Sequence, residues 1–331
     1  MQKYGLGLQA STRLLLYEGH KGGKKVKSSN IGGQAVLEGI MMKNGAEYAV
    51  AVRKPDGEIE VKKEEYKSFI KWEKLTKIPF VRGVFNFIDS LVLGMKTITY
   101  SASFWEEETD IEITEEEAAK AKKKEDFIMA ITMVLSLVIA MGLFMVLPYF
   151  ISNLFKGIIG SRIVRTILEA VVRIGLFVLY ILAVSRMKDI QRTFMYHGAE
   201  HKCINCIEHG MELTIDNVKK NSKQHKRCGT SFLFFVMFVS VIVCFFITTE
   251  SQVLRVVLRL ALLPVIAGIS YEIIRLAGRS NHPLVELLSK PGLALQNLTT
   301  KEPEDDMIEV AIAAVEEVFD WKAYLEENKE S

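Results

Sequence analysis

Two long uncharged segments dominate the hydrophobic pattern of the chain. Residues 127–151 form a run of 25 without a charged side chain, and residues 232–249 form a run of 18. A hydrocarbon core about 30 Å thick is crossed by about 20 helical residues. The first run is therefore long enough for a membrane span, and the second is a short one.

Two further apolar segments, 163–185 and 256–277, carry charges at intervals. Their charged residues are Arg165, Glu169 and Arg173 in the first and Arg259, Glu272 and Arg275 in the second. A charge near the centre of a bilayer costs about 2.5–3.5 kcal/mol, so these helices should face protein rather than lipid. Glu169 can pair with Arg173 one turn away, and Glu272 can pair with Arg275. The pattern predicts a mainly α-helical bundle of four spans, with two spans plus two buried or re-entrant helices as the alternative.

The basic residues predict the orientation of the spans. Segment 186–230 holds nine Lys or Arg residues, whereas 152–162 holds two and 250–255 holds one. Because cytoplasmic loops are enriched in Lys and Arg, this segment and both termini are predicted to be cytoplasmic in an integral plasma-membrane protein. The polar, basic N-terminus has no signal-peptide pattern, which agrees. Cysteines on this side should be reduced thiols rather than disulfides.

The chain divides into seven predicted segments. They are a flexible basic tail (1–29), a small cytoplasmic β element (30–78), an interfacial helix with a charged linker (79–126), spans one and two (127–185), the cytoplasmic His/Cys segment (186–230), spans three and four (231–278) and a cytoplasmic C-terminal segment (279–331).

Two of the cytoplasmic segments have a clear local pattern. In the β element, alternating strands flank Lys54-Pro-Asp-Gly, a turn sequence in which Pro presets φ and Gly supplies a positive φ. One face of this sheet should be buried and the other exposed to water. Residues 305–326 carry an apolar stripe of helical period, so this amphipathic helix should dock on the β element.

The candidate chemistry lies in the His/Cys segment. A helix over residues 189–210 places His197 and His201 four residues apart on one face, a spacing at which two imidazoles can bind one metal ion. Glu200 completes the order H-x-x-E-H, as in inverted zincins. There the carboxylate acts as a general base toward metal-bound water. We therefore predict a divalent metal site, with zinc as the ion and Glu200 as the catalytic residue.

Further residues can complete such a site. His225 and Cys228 form a second His/Cys group downstream and are predicted as additional ligands. Glu208, two turns beyond His201, is a candidate third ligand or a residue that orients one. Glu272, predicted near the cytoplasmic end of the fourth span, is a candidate for the same roles.

An alternative assignment uses the cysteines as a structural zinc site. Cys203-x2-Cys206, eighteen residues, then His225-x2-Cys228 has the spacing of a zinc knuckle or ribbon. A closed four-ligand site of this kind would leave His197, Glu200 and His201 without a role.

Four blocks of the sequence resemble a family of uncharacterised membrane proteins known as DUF1385. They are GGQAVLEGIMMKNG, HGAEHK, HKRCGTSF and KPGLALQNLTTKEPEDD. The resemblance extends over nearly all of residues 30–325. It implies a predicted metal-dependent membrane enzyme. The first cysteine of the Cys203–Cys206 pair is not part of the family pattern, which counts against Cys203 as a ligand.

Two functional hypotheses follow. The first is a metal-dependent hydrolase whose site opens at the cytoplasmic membrane surface, acting on a lipid, a membrane-protein segment or a small metabolite. The second is a non-enzymatic factor for membrane-protein biogenesis, associated with a translocon, whose metal is structural or lacking. A metal transporter is disfavoured because the histidines lie outside the spans. The lipid bilayer is a predicted partner of either protein, and no nucleic acid is expected.

Overall fold

The computed structural model describes residues 28–68, 78–105, 115–249, 251–280 and 282–329. Nearly all of the predicted basic tail and part of the charged linker lie outside these residues. Within them the chain is mainly helical, with a small antiparallel sheet near the N-terminus. This confirms the coarse fold predicted from the sequence.

The sheet has four strands in chain order. They are β1 (Gly32–Val36), β2 (Gly39–Asn44), β3 (Glu47–Arg53) and β4 (Ile59–Glu65), each antiparallel to its neighbour. The predicted turn connects β3 to β4: the amide of Gly57 donates to the carbonyl oxygen of Lys54 at 2.9 Å, and Gly57 has a φ of 90°. Glycine adopts this positive φ without steric cost, so the turn prediction is confirmed.

The two middle strands are buried on both faces, so the expectation of one water-exposed face is wrong for them. Ala49 and Ala51 of β3 pack into a core with helices α5 (Lys188–Glu208) and α11 (Asp305–Val318). Val50 and Val52 face a second core that includes Leu93 of helix α1 (Val81–Ala102). A nearly continuous apolar run, as in Tyr-Ala-Val-Ala-Val, is typical of strands covered on both sides.

The amphipathic stretch near the C-terminus docks on the sheet as predicted, but the single helix predicted over residues 305–326 is two helices, α11 and α12 (Trp321–Lys329), separated at Phe319 and Asp320. The apolar stripe of α11 is fully buried against the sheet and α5, and it includes Met307, Val310, Ala311 and Ala314. α1 covers the opposite face of the sheet and also packs on helix α9 (Leu263–Arg279), where Gly83 lies against the Tyr271 side chain. The sheet is therefore held between two helical layers.

Two helical segments are long and apolar enough to cross a membrane. The first extends over Lys123–Gly157, 35 residues, and comprises most of α2 (Glu115–Met141), a π-helical turn (Gly142–Val146), α3 (Leu147–Leu154) and a 3₁₀ turn (Phe155–Gly157). The second is α4 (Arg162–Val184), 23 residues. These helices correspond to predicted spans one and two.

Predicted spans three and four are less regular. α7 (Gly229–Phe245) is apolar but has 17 residues. α8 (Gln252–Ala261) and α9 meet at an angle of 41° and qualify as a span only if the bent pair counts as one. Pro264 lies in the first turn of α9, where it cannot continue the hydrogen-bond ladder of α8. The described residues thus contain two or three candidate spans, and the four predicted ones are not confirmed.

The charges inside the apolar segments do face protein. Arg173 donates to Glu169 at 2.7 Å, as predicted, and Arg259 donates to both oxygens of the same carboxylate at 2.7 and 2.8 Å. All three side chains are buried. Glu272, in contrast, is bound by Arg82 of α1 at 2.7 and 2.5 Å rather than by the predicted Arg275.

Three more helices complete the described chain. They are α6 (Ile215–Lys220), α10 (Pro283–Thr299) and α12 (Trp321–Lys329). α10 lies along α7, and the absence of a side chain at Gly292 lets the helices approach closely at Ser231. This contact brings the end of α10 next to the His/Cys segment.

Candidate metal site

The predicted helix over the H-x-x-E-H motif is present and continuous through Gly198. A Cβ at Gly198 would lie 2.0 Å from the carbonyl oxygen of Lys301, so glycine is needed for the chain after α10 to approach α5. The amide of Lys301 donates to the carbonyl oxygen of Phe194 at 2.9 Å and fixes this approach. The motif is therefore bordered on one side by the C-terminal end of α10.

His197, His201 and Cys228 form the group of described residues that could hold a metal ion. One ligand atom from each lies within 4.8 Å of the other two. Nε2 of His197 and Sγ of Cys228 are 3.3 Å apart. Ligands about 2.0 Å (nitrogen) and 2.3 Å (sulfur) from a tetrahedral zinc ion lie about 3.5 Å apart, so the nitrogen and sulfur donors and the His197–Cys228 spacing fit zinc.

Backbone carbonyl groups orient both imidazoles. Nδ1 of His197 lies 2.9 Å from the carbonyl oxygen of Thr299, and Nδ1 of His201 lies 2.7 Å from that of Lys223. A carbonyl oxygen only accepts hydrogen bonds, so the proton of each neutral ring is assigned to Nδ1. Each ring then keeps the lone pair of its other nitrogen for a metal ion, the arrangement usual for metal-binding histidines.

Cys228 reaches the cluster from the first residue before α7. Its side chain caps this helix, accepting a hydrogen bond from the amide of Thr230 at 3.3 Å. The dipole at a helix N-terminus favours negative charge. This position suits a cysteine that binds a metal ion through sulfur.

Glu200 lies beside the cluster and is buried. One of its oxygens accepts a hydrogen bond from the amide of Gly33 at 3.1 Å, and the other lies 3.9 Å from Nε2 of His197. Burial raises the pKa of Glu200 above its ordinary value, although His197, the Gly33 amide and the charge of Arg227 oppose the increase. A carboxylate with a raised pKa is suited to accepting a proton near neutral pH.

His225, predicted as a ligand, lies against Glu208, predicted as a third ligand or an orienting residue. Nε2 of His225 lies 3.6 Å from Glu208, and Arg227 donates to Glu208 at 2.7 Å. Burial lowers the pKa of His225 to about 4, against the opposing effect of Glu208. Burial would raise the pKa of Glu208, but His225, Arg227 and a hydrogen bond from Ser29 hold it well below its usual range. Neither residue belongs to the three-residue group, although the ring of His225 is 5.7 Å from that of His201.

The alternative set of three cysteines and one histidine (Cys203, Cys206, His225 and Cys228) is not assembled in the described part of the chain. Cys203 and Cys206 are fully buried in the core between α5, the sheet and α11. Burial raises the pKa of the Cys203 thiol well above its ordinary value and that of Cys206 to about 12. Sγ of Cys206 donates to the carbonyl oxygen of Glu212 at 3.4 Å. These two cysteines pack as apolar side chains, which is the commonest role of a buried free cysteine.

The cluster lies in a cavity of about 450 Å³ between the sheet and the apolar helices. Sequence reasoning missed several of its walls: Lys43 at the end of β2, Asn86 and Ser90 on α1, and Tyr271 on α9. The amide nitrogen of Asn86 donates to the Tyr271 hydroxyl at 2.7 Å. Burial lowers the pKa of Lys43, partly offset by the charge of Asp89. Asn86 and Ser90, two polar residues one turn apart on a largely apolar helix, were the available signal.

Glu272 does not line this cavity. Its two oxygens are taken by the side chain of Arg82, and one also accepts the amide of Phe80 at 3.2 Å. It ties α9 to the start of α1, next to Tyr271.

The fold and the site together define a mainly helical protein with candidate membrane spans and a His/His/Cys group beside a buried carboxylate. Residues 78–321 match the family described as "Protein of unknown function (DUF1385)", and the chain belongs to that family. It is 36% identical over 301 residues to the uncharacterised protein YqhQ of Bacillus subtilis (strain 168). The aligned residues cover 90% of this chain and 95% of that protein. No solved structure matches the chain. The family resemblance of the sequence blocks is thereby confirmed.

Proposed function

We propose that this chain is an integral membrane protein with a metal-dependent hydrolase site at the cytoplasmic surface of the bilayer. The observation that carries the proposal is the convergence of His197, His201 and Cys228 within 4.8 Å, beside Glu200 and in an open cavity. These three side chains would hold a divalent ion, with zinc as the ion that their nitrogen and sulfur donors favour.

The number of ligands supports a catalytic rather than a structural site. Structural zinc sites are closed by four protein ligands, whereas catalytic sites use three and leave one position to water or substrate. The group here has three members, and the cavity beside it has room for a substrate. A metal ion bound there would supply an activated water molecule for hydrolysis.

Glu200 takes the role of general base. Its carboxylate lies next to His197 and is held by the Gly33 amide, so it is positioned to accept a proton from a water molecule at the cluster. Glycine at position 33 is part of this arrangement because a Cβ there would lie 2.6 Å from the carbonyl oxygen of Met41 and 3.0 Å from the Glu200 side chain.

The walls of the cavity favour a polar substrate group that reaches the site from the membrane surface. Asn86, Ser90 and Lys43 offer hydrogen-bond donors. α1 carries Asn86 and Ser90 and packs both on the sheet and on α9, which carries the cavity residue Tyr271. With the His/Cys segment on the cytoplasmic side, a lipid headgroup or a membrane-protein segment could enter there.

Metal analysis of the full-length protein in detergent tests the proposal. The purified wild type should contain about one zinc ion per chain, and His201→Ala should lose it while circular dichroism shows a retained fold. Replacement by Co²⁺ should give a sulfur-to-metal charge-transfer band that disappears in Cys228→Ser. Cys203→Ala is the matched control, because this thiol is buried in the core between α5, the sheet and α11.

The outcomes separate the hypotheses. Retained metal in Cys203→Ala and metal lost from a folded His201→Ala support an open catalytic site. Metal lost together with the fold would support a structural ion, since such ions contribute folding free energy directly. Loss of metal in Cys203→Ala would favour the closed four-ligand site. A wild type without metal would leave the non-enzymatic biogenesis factor as the better hypothesis.

A further inference from the structure

A second cavity lies at the end of the apolar helices opposite the metal site. It is small, about 20 Å³, and is lined by residues of α3, α4, α7 and α8. Cys244, near the C-terminal end of α7, lines it, whereas Cys228 caps the N-terminal end of the same helix. At 1.5 Å per residue the 17 residues of α7 separate the two sites by roughly 25 Å.

Arginines dominate the lining of this second cavity. Its charged residues are Arg162, Arg165, Arg255, Arg259 and Glu169, which leaves three net positive charges, and we name it the arginine cavity. Glu250, which lies in sequence between the lining residues Ile247 and Arg255, is outside the described residues. Even if its carboxylate also faced the cavity, two positive charges would remain unbalanced. Of the four arginines only Arg259 is buried, and it is paired with Glu169. Arg162, Arg165 and Arg255 have no carboxylate partner among the described residues, so the charge balance favours an anion.

Backbone carbonyl groups hold two of the guanidinium groups in place without neutralising them. Arg162 donates to the carbonyl oxygens of Phe245 and Ile247 at 3.0 and 3.1 Å, and Arg165 donates to that of Ile159 at 2.5 Å. Carbonyl oxygens are uncharged, so these bonds fix geometry and leave the positive charge in place. The side chains are therefore ordered before any ligand binds.

Three buried donors around the cavity have no hydrogen-bond partner among the described residues. They are Nε of Arg255, Nε of Arg259 and the hydroxyl group of Tyr149. Tyr149 is 2% exposed, and its ring lies 4.6 Å from the guanidinium carbon of Arg259 and 5.6 Å from that of Arg255. Buried polar groups in native proteins nearly always have a partner, so three unpartnered donors around one positively charged cavity indicate a missing acceptor.

We propose that the arginine cavity binds a phosphate group. Guanidinium groups recognise phosphate through charge-assisted hydrogen bonds, and the Tyr149 hydroxyl adds a neutral donor. A space of about 20 Å³ admits about one water-sized group, hence one phosphate oxygen, while the rest of the phosphate remains at the mouth. A phospholipid headgroup and free inorganic phosphate share this chemistry. The lipid source requires the membrane insertion proposed above, and the free anion does not.

Binding measurements on the full-length protein in detergent test the proposal with two probes. Inorganic phosphate, titrated by calorimetry, should bind saturably if the free anion is the ligand. Native mass spectrometry should show retention of phosphatidylglycerol but not of a glucosyl diacylglycerol, which lacks phosphate, if the headgroup is the ligand. Saturable binding of either probe supports the site, and the pattern distinguishes the two sources.

Three variants link any binding to the cavity. Arg255→Gln should weaken it about tenfold, and Tyr149→Phe, which removes only the hydroxyl, about fivefold. Lys156→Gln removes one positive charge from an exposed position at the same end of the helices and should leave the binding of both probes unchanged. If Arg255→Gln does not fold, Tyr149→Phe still decides. No binding of either probe by the wild type, or equal binding by wild type and Tyr149→Phe, would overturn the proposal.

Discussion

Nε2 of His197 and Sγ of Cys228 lie 3.3 Å apart although the residues are 31 positions apart in the chain. Two features bring them together: α5 presents His197 and His201 on one face, and Cys228 stands at the start of α7. The side chain of Gln296 on α10 holds the connecting loop by bonding both the amide and the carbonyl group of His225, at 2.8 and 2.9 Å. The cluster thus depends on three helices, and several predictions about its supports can be tested separately.

Gly198→Ala should destabilise the protein and weaken metal binding. The added Cβ would meet the carbonyl oxygen of Lys301 at 2.0 Å and push away the chain segment whose Thr299 carbonyl orients His197. Overpacking of this kind costs about 1–3 kcal/mol, more than the roughly 0.5–1 kcal/mol that alanine gains over glycine in a helix. Thermal unfolding and zinc affinity measure the two effects. Gly175→Ala on α4 is the control, because a Cβ there would meet no atom within 4 Å, and it should be neutral or stabilising. A similar loss of stability in both variants would contradict the explanation.

Glu169→Gln should lower the melting temperature strongly. The carboxylate is the shared counter-charge of Arg173 and Arg259 in a buried network, and its loss leaves two buried guanidinium groups without one. Removing one partner of a buried ion pair costs about 3–5 kcal/mol. Thermal unfolding in detergent provides the measurement. Glu125→Gln, at an exposed position on α2, is the control and should change stability by less than about 0.5 kcal/mol. An unchanged melting temperature in Glu169→Gln would show that Arg173 and Arg259 do not depend on this carboxylate.

The ionised Glu64 side chain should stabilise the protein fully only above its unfolded pKa of 4.5. Hydrogen bonds from Lys62, Lys96 and Tyr48 lower the pKa of this carboxyl from 4.5 to about 2. A group whose pKa is lower in the folded state stabilises the fold above its unfolded pKa. This contribution is lost as the pH falls from 4.5 toward 2. The melting-temperature gap between wild type and Glu64→Gln should therefore shrink through this range.

Glu65→Gln provides the comparison for this acid titration. Glu65 is exposed and follows Glu64 directly in β4. Its substitution should give a small gap that stays constant through the same pH range. A pH-independent gap for Glu64→Gln would show that its three partners do not stabilise the ionised form.

The two ends of the apolar helices should differ in their access from outside the cell. Lys156→Cys, exposed in the turn between α3 and α4, should react with a membrane-impermeant maleimide in intact cells. Lys188→Cys, exposed at the start of α5, should react only after permeabilisation. All four native cysteines are buried, so the background should be low. Labelling of Lys188→Cys alone in intact cells would reverse the proposed orientation.

The local features of the site could be predicted from the sequence, because spacing alone defines them. The i, i+4 relation of His197 and His201 and the position of Glu200 follow from helix geometry. Choosing Cys228 over His225 as the third member required the tertiary structure, since it depends on Arg227 and Glu208 occupying His225's surroundings. The carbonyl groups that orient the imidazoles leave no trace in a sequence, because every residue has one.

The fold was likewise predictable in its local features and not in the contacts between distant segments. The apolar runs indicate helices, but the break between α8 and α9 depends on Pro264. This proline lies within segment 256–277, where counting apolar residues does not reveal a break. The burial of β3 on both faces was likewise visible in its continuous apolar sequence. The pairing of Glu272 with Arg82 was not, because α1 is distant in the chain and only folding brings them together.

α7 also sets a length scale for the molecule. Its N-terminal end holds a thiol of the metal cluster and its C-terminal end borders the arginines, so one rigid rod of roughly 25 Å spaces two polar centres across an apolar layer. That spacing is slightly less than the roughly 30 Å of a typical hydrocarbon core. If α7 crosses the bilayer as proposed, a thicker bilayer would draw both polar ends toward lipid at the same time, and this would couple the two centres to membrane thickness without any moving part between them.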